Sequence, residues 1–271
     1  MSYQTIEIKT DGGIGWLTFN RPQVLNAFSP ELIAETGEAM TAFSADPSVH
    51  AIIVHGVGRA FSAGFDIKAS AQVGERTVAQ WREVLEEDFN FIMQFWDCPK
   101  PTIAAVHGYC VGGAFEVMLA CDVTIASETA LFGEPEVRFG SGIVAMLLPW
   151  ITGPKAAKEL LLSGQDRMPA ARARELGIVN HVVAETELLG RAEAMARDFI
   201  AAAPASVRMT KQAINRSYEI MGMRQALLQA LEMDVVIEAA GGPERAEFNR
   251  LRREQGLKAA LAWRDARFRK A

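Results

Sequence analysis

The chain has 271 residues, 49% hydrophobic and 23% charged, with a net charge of −5. This is ordinary globular composition, sufficient for one large domain or a core with an appendage. No apolar run reaches bilayer length, and there is neither a basic block nor an aromatic RNP-like strand. A membrane-spanning protein and a nucleic-acid binder are therefore not expected. The start, MSYQTIEIKTDGG, lacks the basic and apolar regions of a secretory signal and the arginines of a transit peptide, so a cytoplasmic location is expected.

Cys98, Cys110 and Cys121 are odd in number and show no CxxC spacing, which indicates neither a disulfide framework nor a zinc site. His50, His55, His107 and His181 form no HExxH motif and lie at no familiar ligand spacing, so no metal is expected.

In chain order, Thr5–Lys9 and Ile14–Phe19 alternate around Asp11-Gly12-Gly13 and predict a hairpin. Ser29-Pro30 reads as an N-cap and first-turn proline before a helix carrying Leu32, Ile33, Met40 and Phe43. Ala51–Val54 is a short strand, followed by an irregular, glycine-bearing stretch to Lys68. Thr77 and Gln80 form a capping box that opens a long helix, ended by Cys98-Pro99-Lys100-Pro101. Thr102–Val106 and Val123–Ala126 read as strands, with a glycine turn at Gly108–Gly113 and an apolar helix at Ala114–Ala120 between them. Beyond Pro154 the pattern is mainly helical, with one strand at Val179–Val183. Short strands followed by a helical tail predict an α/β core with a helical appendage.

Three segments carry chemistry. Ala60–Lys68 has small residues and Gly64, which let backbone N–H groups approach a ligand; read alone, it is more simply a tight turn that needs small residues. A nucleophile elbow at Ser62 is a rival, weakened because Ala60 stands where the first glycine belongs and nothing local pairs His107 with Asp122. His107–Glu116 is a strand, a glycine turn and a helix start, where unpaired N–H groups suit an oxyanion. Glu116 falls in the first turn of that helix, either facing water near the positive dipole end or lining a pocket. Phe132–Val137 holds Glu134 and Glu136, which read alone are two surface carboxylates in a loop. Gly140-Ser141-Gly142-Ile143-Val144-Ala145 also fits a dinucleotide fingerprint, but lacks a credible preceding strand.

Taken in register, these segments resemble the crotonase (enoyl-CoA hydratase/isomerase) family over nearly the whole chain. NRPQVLNAFS resembles its opening segment, FSAGFDIK its first oxyanion and coenzyme A segment, AAVHGYCVGGAFEVMLACD its second signature and FGEPEV its third. GPKAAKELLLSGQ and ARELGIVNHVV fit the region that follows. The resemblance implies a crotonase-type α/β spiral of ββα turns over residues 1–200 and a C-terminal helical trimerisation region over 201–271. The expected assembly is a homotrimer or a dimer of trimers. It also implies an enoyl-CoA hydratase that adds water to a trans-2-enoyl-CoA thioester. Coenzyme A would be part of the substrate, with no separate cofactor. The backbone N–H groups of Phe65 and Gly113 would form the oxyanion hole. Glu116 would act on the water and Glu136 on the α-carbon. Gln23, Val24, Leu25, Ala63, Asp66, Ile67 and Lys68 would lie along the coenzyme A. Another reaction of the family (double-bond isomerisation or thioester hydrolysis), or non-catalytic acyl-CoA binding, is the alternative.

Two departures bear on the substrate. Phe65 stands where the family has a small residue, and a ring there narrows or redirects the acyl pocket. After Glu136 the chain reads RFGSGIVAMLL instead of a run rich in proline and glycine, which predicts a different, bulkier pocket wall.

Overall fold

The computed structural model describes residues 3–67 and 76–268. The chain opens with the expected hairpin, β1 (Ile6–Asp11) and β2 (Ile14–Phe19), turning through Gly12 and Gly13 at positive φ. The capped helix α1 (Pro30–Ala45) follows, with the Ser29 hydroxyl accepting from the Leu32 N–H.

Three repeats then build the core, each sending one strand to a large sheet and the next to a small one. The pairs are β3 (Ala51–Gly56) and β4 (Ala60–Ser62), β5 (Thr102–Val106) and β6 (Tyr109–Val111), and β7 (Val123–Ser127) and β8 (Leu131–Gly133). The helix α2 (Val78–Asp97), opened by the Thr77–Gln80 capping box, follows the first pair; α3 (Gly113–Ala120) follows the second. Later come β9 (Met168–Pro169) and β10 (His181–Val183). Among the described residues the large sheet has the order β1-β2-β3-β5-β7-β10, and the small sheet β4-β6-β8-β9. β2, β3, β5, β7 and β10 run parallel, as do β4, β6 and β8.

The repeats are wound so tightly that glycine is required where they stack. A Cβ at Gly108, which has φ +56°, would lie 2.0 Å from the Arg59 carbonyl oxygen, and one at Gly56 would lie 2.3 Å from that of Phe61. All five residues of β5 are buried, because helices cover both faces of the large sheet.

The tail comprises α4 (Leu148–Thr152), α5 (Pro154–Ser163), α6 (Ala170–Glu175), α7 (Leu188–Ala201), α8 (Pro204–Ile220), α9 (Met223–Ala240), α10 (Pro243–Gln255) and α11 (Leu257–Ala266). The buried Lys211 amine lies 2.7 Å from Asp122 and donates to the Lys100 carbonyl, which ties α8 to the core. α9 packs along α2, while α10 and α11 bury Phe248, Leu251 and Ala260 against each other, with Ile67 and Phe139 packed on this cluster. No helix among the described residues is long and apolar enough to cross a membrane.

Two segments differ from the sequence expectation. The stretches read as irregular after Val54 and as a glycine turn at Gly108–Gly113 each contain a short strand, β4 and β6. Three residues are too few for an alternation pattern to show. Beyond these, Leu148–Thr152 is helical while Ile143–Leu147 before it is not. Those preceding residues are mostly buried without regular structure, and two of their N–H groups serve a side chain described below.

Candidate active site

The first two chemical segments meet backbone to backbone. A Cβ at Gly64 would lie 2.6 Å from the Val111 carbonyl oxygen and 3.0 Å from the Gly113 nitrogen. Phe65 is held at this junction because Phe28 donates to the Gly64 carbonyl and accepts from the Asp66 N–H. Gly112 adopts φ 60°, ψ −139°, a conformation open to glycine, and starts α3. Among the described residues, neither the Phe65 N–H nor the Gly113 N–H has a hydrogen-bond partner. Two unpaired donors beside each other at a helix start form a site for developing negative charge on oxygen. The Phe65 ring lies over Gly113, 2.3 Å from where a Cβ would be, and packs edge-on against Phe28 and Phe91. Its ring therefore forms one wall of this site, while its N–H remains available.

Glu116 does not face water. It is 2% exposed, and its two carboxylate oxygens accept from the N–H groups of Val144 (3.2 Å) and Ala145 (2.9 Å). Burial and then the charge of Glu136 push its carboxyl well above the usual range, with those two N–H groups opposing. Glu136 opens a short 3-10 turn, Glu136–Phe139, closed by Gly140 in the left-handed region. Its Oε1 reaches to 2.5 Å from where a Cβ on Gly112 would sit, and its Oε2 is buried without a partner. A side chain on Gly112 would displace the carboxylate. Burial raises Glu136 to about 7, against the neighbouring Glu134 carboxyl, its own N–H and the charge of Arg264; Glu238 adds to the rise. Glu134 is 2% exposed. The reading of Glu134 and Glu136 as surface carboxylates is thus overturned, because the third repeat folds this loop back against the second.

The loop after Glu136 is held from outside the spiral. The Ser141 hydroxyl and the Gly142 N–H bond to Glu238, which also pairs with Arg245. A Cβ on Gly142 would lie 1.9 Å from Asp234 Oδ1. Asp234 and Glu238 are both buried on α9, and burial followed by the charge of Glu238 raises Asp234 to about 7. The sequence reading missed both residues. The available signal was their position: Leu227, Leu231, Asp234, Val235 and Glu238 fall on the one buried stripe of α9, where carboxylates are out of place.

The residues expected along coenzyme A are brought together in part. Gln23 and Val24 lie in a 3-10 turn, and the Leu25 carbonyl accepts from the Ala63 N–H at 2.9 Å. Arg21 bridges to Asp66 at 3.1 Å, and Asn26, fully buried, donates to the carbonyls of Val57 and Ala60. These bonds join the twenties and sixties on one surface. Ile67 is turned toward α10, its carbonyl accepting from Arg252 and its side chain joining the Phe248 cluster. Lys68 lies outside the described residues.

The rival readings lose their geometry. Ser62 is buried in β4, its hydroxyl donating to the Asn26 carbonyl and accepting from the Gly64 N–H. His107 bonds the Gly58 carbonyl, while Asp122 holds Thr102 and Lys211, so no triad forms. Gly140 follows a 3-10 turn, not the strand a dinucleotide site requires. Among the described residues no group of His, Cys, Asp or Glu side chains is arranged to hold a metal ion.

Known proteins agree with this architecture. The family model described as enoyl-CoA hydratase/isomerase matches residues 9–239. The chain is 37% identical over 226 residues to a probable enoyl-CoA hydratase of Mycobacterium bovis, covering 81% of this chain and 84% of that protein. It is 33% identical over 225 residues to a crotonyl-CoA hydratase of Syntrophomonas wolfei, with the same coverage of each. A solved enoyl-CoA hydratase/isomerase from Xanthobacter autotrophicus Py2 superposes with a TM-score of 0.97 at 52% identity, over 98% of this chain and 99% of that one.

Proposed function

Because the chain belongs to the enoyl-CoA hydratase/isomerase family, we infer that it is an enoyl-CoA hydratase, adding water reversibly to a trans-2-enoyl-CoA thioester. One observation carries this reading. Glu136 Oε1 reaches the turn that presents the unpaired N–H groups of Phe65 and Gly113, and Glu116 lies in the first turn of the helix that starts there, its carboxyl feeling the charge of Glu136. Hydration places negative charge on the thioester oxygen, which these donors stabilise. It also needs a proton removed from water as the β-carbon is attacked and a proton delivered to the α-carbon. Glu116 is assigned to the water and Glu136 to the α-carbon. A carboxyl raised to about 7 suits proton exchange near neutral pH. The reaction is redox-neutral and the two glutamates supply both proton transfers, so no cofactor is proposed beyond the coenzyme A of the substrate.

Turnover of crotonyl-CoA, followed by loss of the absorbance of the conjugated thioester, tests the assignment. Wild type should act quickly, and E116Q and E136Q should each lose at least about 10²-fold in kcat. Measurable binding of the thioester without any loss of absorbance would reject short-chain hydration.

A second reading, double-bond isomerisation by Glu136 alone, draws support from Val144 and Ala145, whose N–H groups engage both oxygens of Glu116. Under it E116Q remains active on a 3-enoyl-CoA, while E136Q does not.

The proposed assembly is a homotrimer or dimer of trimers. Support comes from exposed apolar side chains on α8 and α9, among them Met209, Ile214, Met233 and Val236. Three buried free cysteines suit a reducing compartment, which supports a cytoplasmic location.

A further inference from the structure

We propose that Arg264, near the end of the chain, is a positioning residue for this reaction: through Asp166 and Arg138 it fixes the turn that carries Glu136 beside the oxyanion donors. The proposal rests on the reading of Glu136 as the group that exchanges a proton with the α-carbon.

The turn Glu136–Phe139 has little to hold it in place by itself. It is a single 3-10 turn without a side-chain cap, and none of its four residues is fully buried. Its approach is pinned: the Glu134 N–H donates to the Gln165 carbonyl at 2.9 Å, and a Cβ on Gly133 would lie 2.4 Å from the Asp166 Cα. Asp166 is therefore built against the strand that leads into the turn. Its Oδ1 accepts from Arg138 at 3.2 Å and its Oδ2 from Arg264 at 3.1 Å. Arg138, two residues from Glu136, also donates to the Ser163 carbonyl. Gly164 leaves room for the Arg138 stem, since a Cβ there would lie 2.7 Å from Arg138 Cγ.

Arg264 is buried on α11 and also pairs with Asp265 at 2.8 Å. Apolar side chains of similar volume would dock α11 at least as well as a buried ion, so stability alone does not account for it. What the ion adds is a second counter-charge that leaves both oxygens of Asp166 engaged, and Asp166 in turn fixes Arg138. The next residue, Phe139, stacks on Phe248 of α10 with ring centroids 5.0 Å apart, and the Gly140 carbonyl accepts from Arg245 at 3.4 Å. The last two helices thus hold the turn at Arg138, Phe139 and Gly140. The charged and titratable groups facing Glu136 are Glu134 in its own loop, Glu116 on α3, Asp234 and Glu238 on α9, and Arg264. Of these five, Arg264 alone is cationic, so it also favours the Glu136 anion.

Two substitutions separate the charge from packing. R264M keeps a long side chain without charge; R264K keeps a charge for the one Asp166 oxygen that Arg264 serves. We expect R264M to lose roughly 10- to 100-fold in kcat for crotonyl-CoA with KM within about threefold, and R264K to stay within about fivefold of wild type. Dehydration of 3-hydroxybutyryl-CoA needs the Glu136 anion, and removing a nearby cation raises a carboxyl. The acid limb of its kcat profile should therefore move up by roughly half a pH unit in R264M and stay put in R264K. Wild-type kcat and profile in R264M would overturn the proposal, as would an equal fall in both variants. Hydrogen exchange supplies a readout without turnover. The N–H groups of Arg138 and Ser141, which bond to the carbonyls of Pro135 and Glu136, should exchange at least about tenfold faster in R264M than in wild type, with β5 unchanged. Unchanged exchange at the turn overturns the proposal, and so does faster exchange throughout the chain, which would mark a general loss of stability. Because exchange is read without substrate, it separates failure of the positioning argument from failure of the hydratase reading.

Discussion

The two walls of the site are built on different principles. One is the oxyanion wall, where Gly64, Phe65, Gly112 and Gly113 contribute backbone atoms brought together by stacked repeats. The other is the loop Gly140–Ala145, held by Glu238 and Asp234 on α9, with Ser141 and Glu238 97 residues apart in the chain. The first wall depends on the absence of side chains and the second on particular buried ones. Changes to the first should therefore cost rate before stability, and changes to the second stability before rate.

The largest expected effect breaks the first wall. G112A places a methyl group where Glu136 Oε1 lies and strains a backbone that only glycine adopts easily. We expect kcat/KM for crotonyl-CoA to fall by about 10³ or more, roughly 4 kcal/mol of transition-state stabilisation. Steady-state kinetics beside a thermal melt decide the matter. A variant that loses its fold in step with its activity would contradict the claim that this wall is chiefly functional.

The same division explains what the sequence made legible. The oxyanion turn could be read because Gly64 and Gly112 adopt positive φ and Gly113 lies directly against the Phe65 ring, and such demands leave a local motif. The helix starts were legible too, since Ser29 and the Thr77–Gln80 box act on N–H groups two or three residues away. Strands β4 and β6 were not, because three residues carry no period. Glu134 and Glu136 looked like surface loop residues because nothing local reports that their loop folds back on the preceding repeat, where Glu134 is buried and Glu136 half-buried against Gly112. Asp234 and Glu238 were missed for a related reason: they fall on the apolar stripe of α9, but the residues they touch, Gly142 and Ser141, lie in another part of the chain.

Next in size is the loss of Glu238. E238A leaves Arg245, with only 17% of its side chain exposed, without its carboxylate, and removes the acceptor of Ser141 and Gly142. Breaking a buried ion pair from one side costs about 3 kcal/mol, which at this chain length lowers Tm by roughly 6–12 °C. E238Q, which keeps an acceptor, should recover part of that loss. An unchanged Tm in E238A would remove the second wall from the comparison.

D234N should act in the opposite direction. Burial raises Asp234 in the folded protein to about 7, above the ordinary value of 3.8 that applies on unfolding. A carboxyl raised in this way is tolerated while protonated, below the ordinary value, and destabilises progressively as pH rises from there to about 7. The neutral amide escapes that penalty. D234N should therefore be more stable than wild type at pH 8, by roughly 1–2 kcal/mol, with a smaller gain at pH 5. Equal gains at both pH values would show that the effect is packing and not charge.

The smallest effect comes from a solvent-exposed position on the same helix and isolates burial as the cause. Arg82 on α2 and Glu232 on α9 form an ion pair like that of Arg245 and Glu238, but their side chains are 44% and 47% exposed. Water screens the pair, and either ion is solvated again when its partner is lost. E232A should therefore cost less than about 1 kcal/mol, and about 1 M salt should shrink the difference further. Both pairs anchor α9, so chemical type and position on the helix are closely matched. If E232A cost as much as E238A, desolvation would not be what distinguishes them, and the second wall would owe its strength to the docking of α9 as a whole.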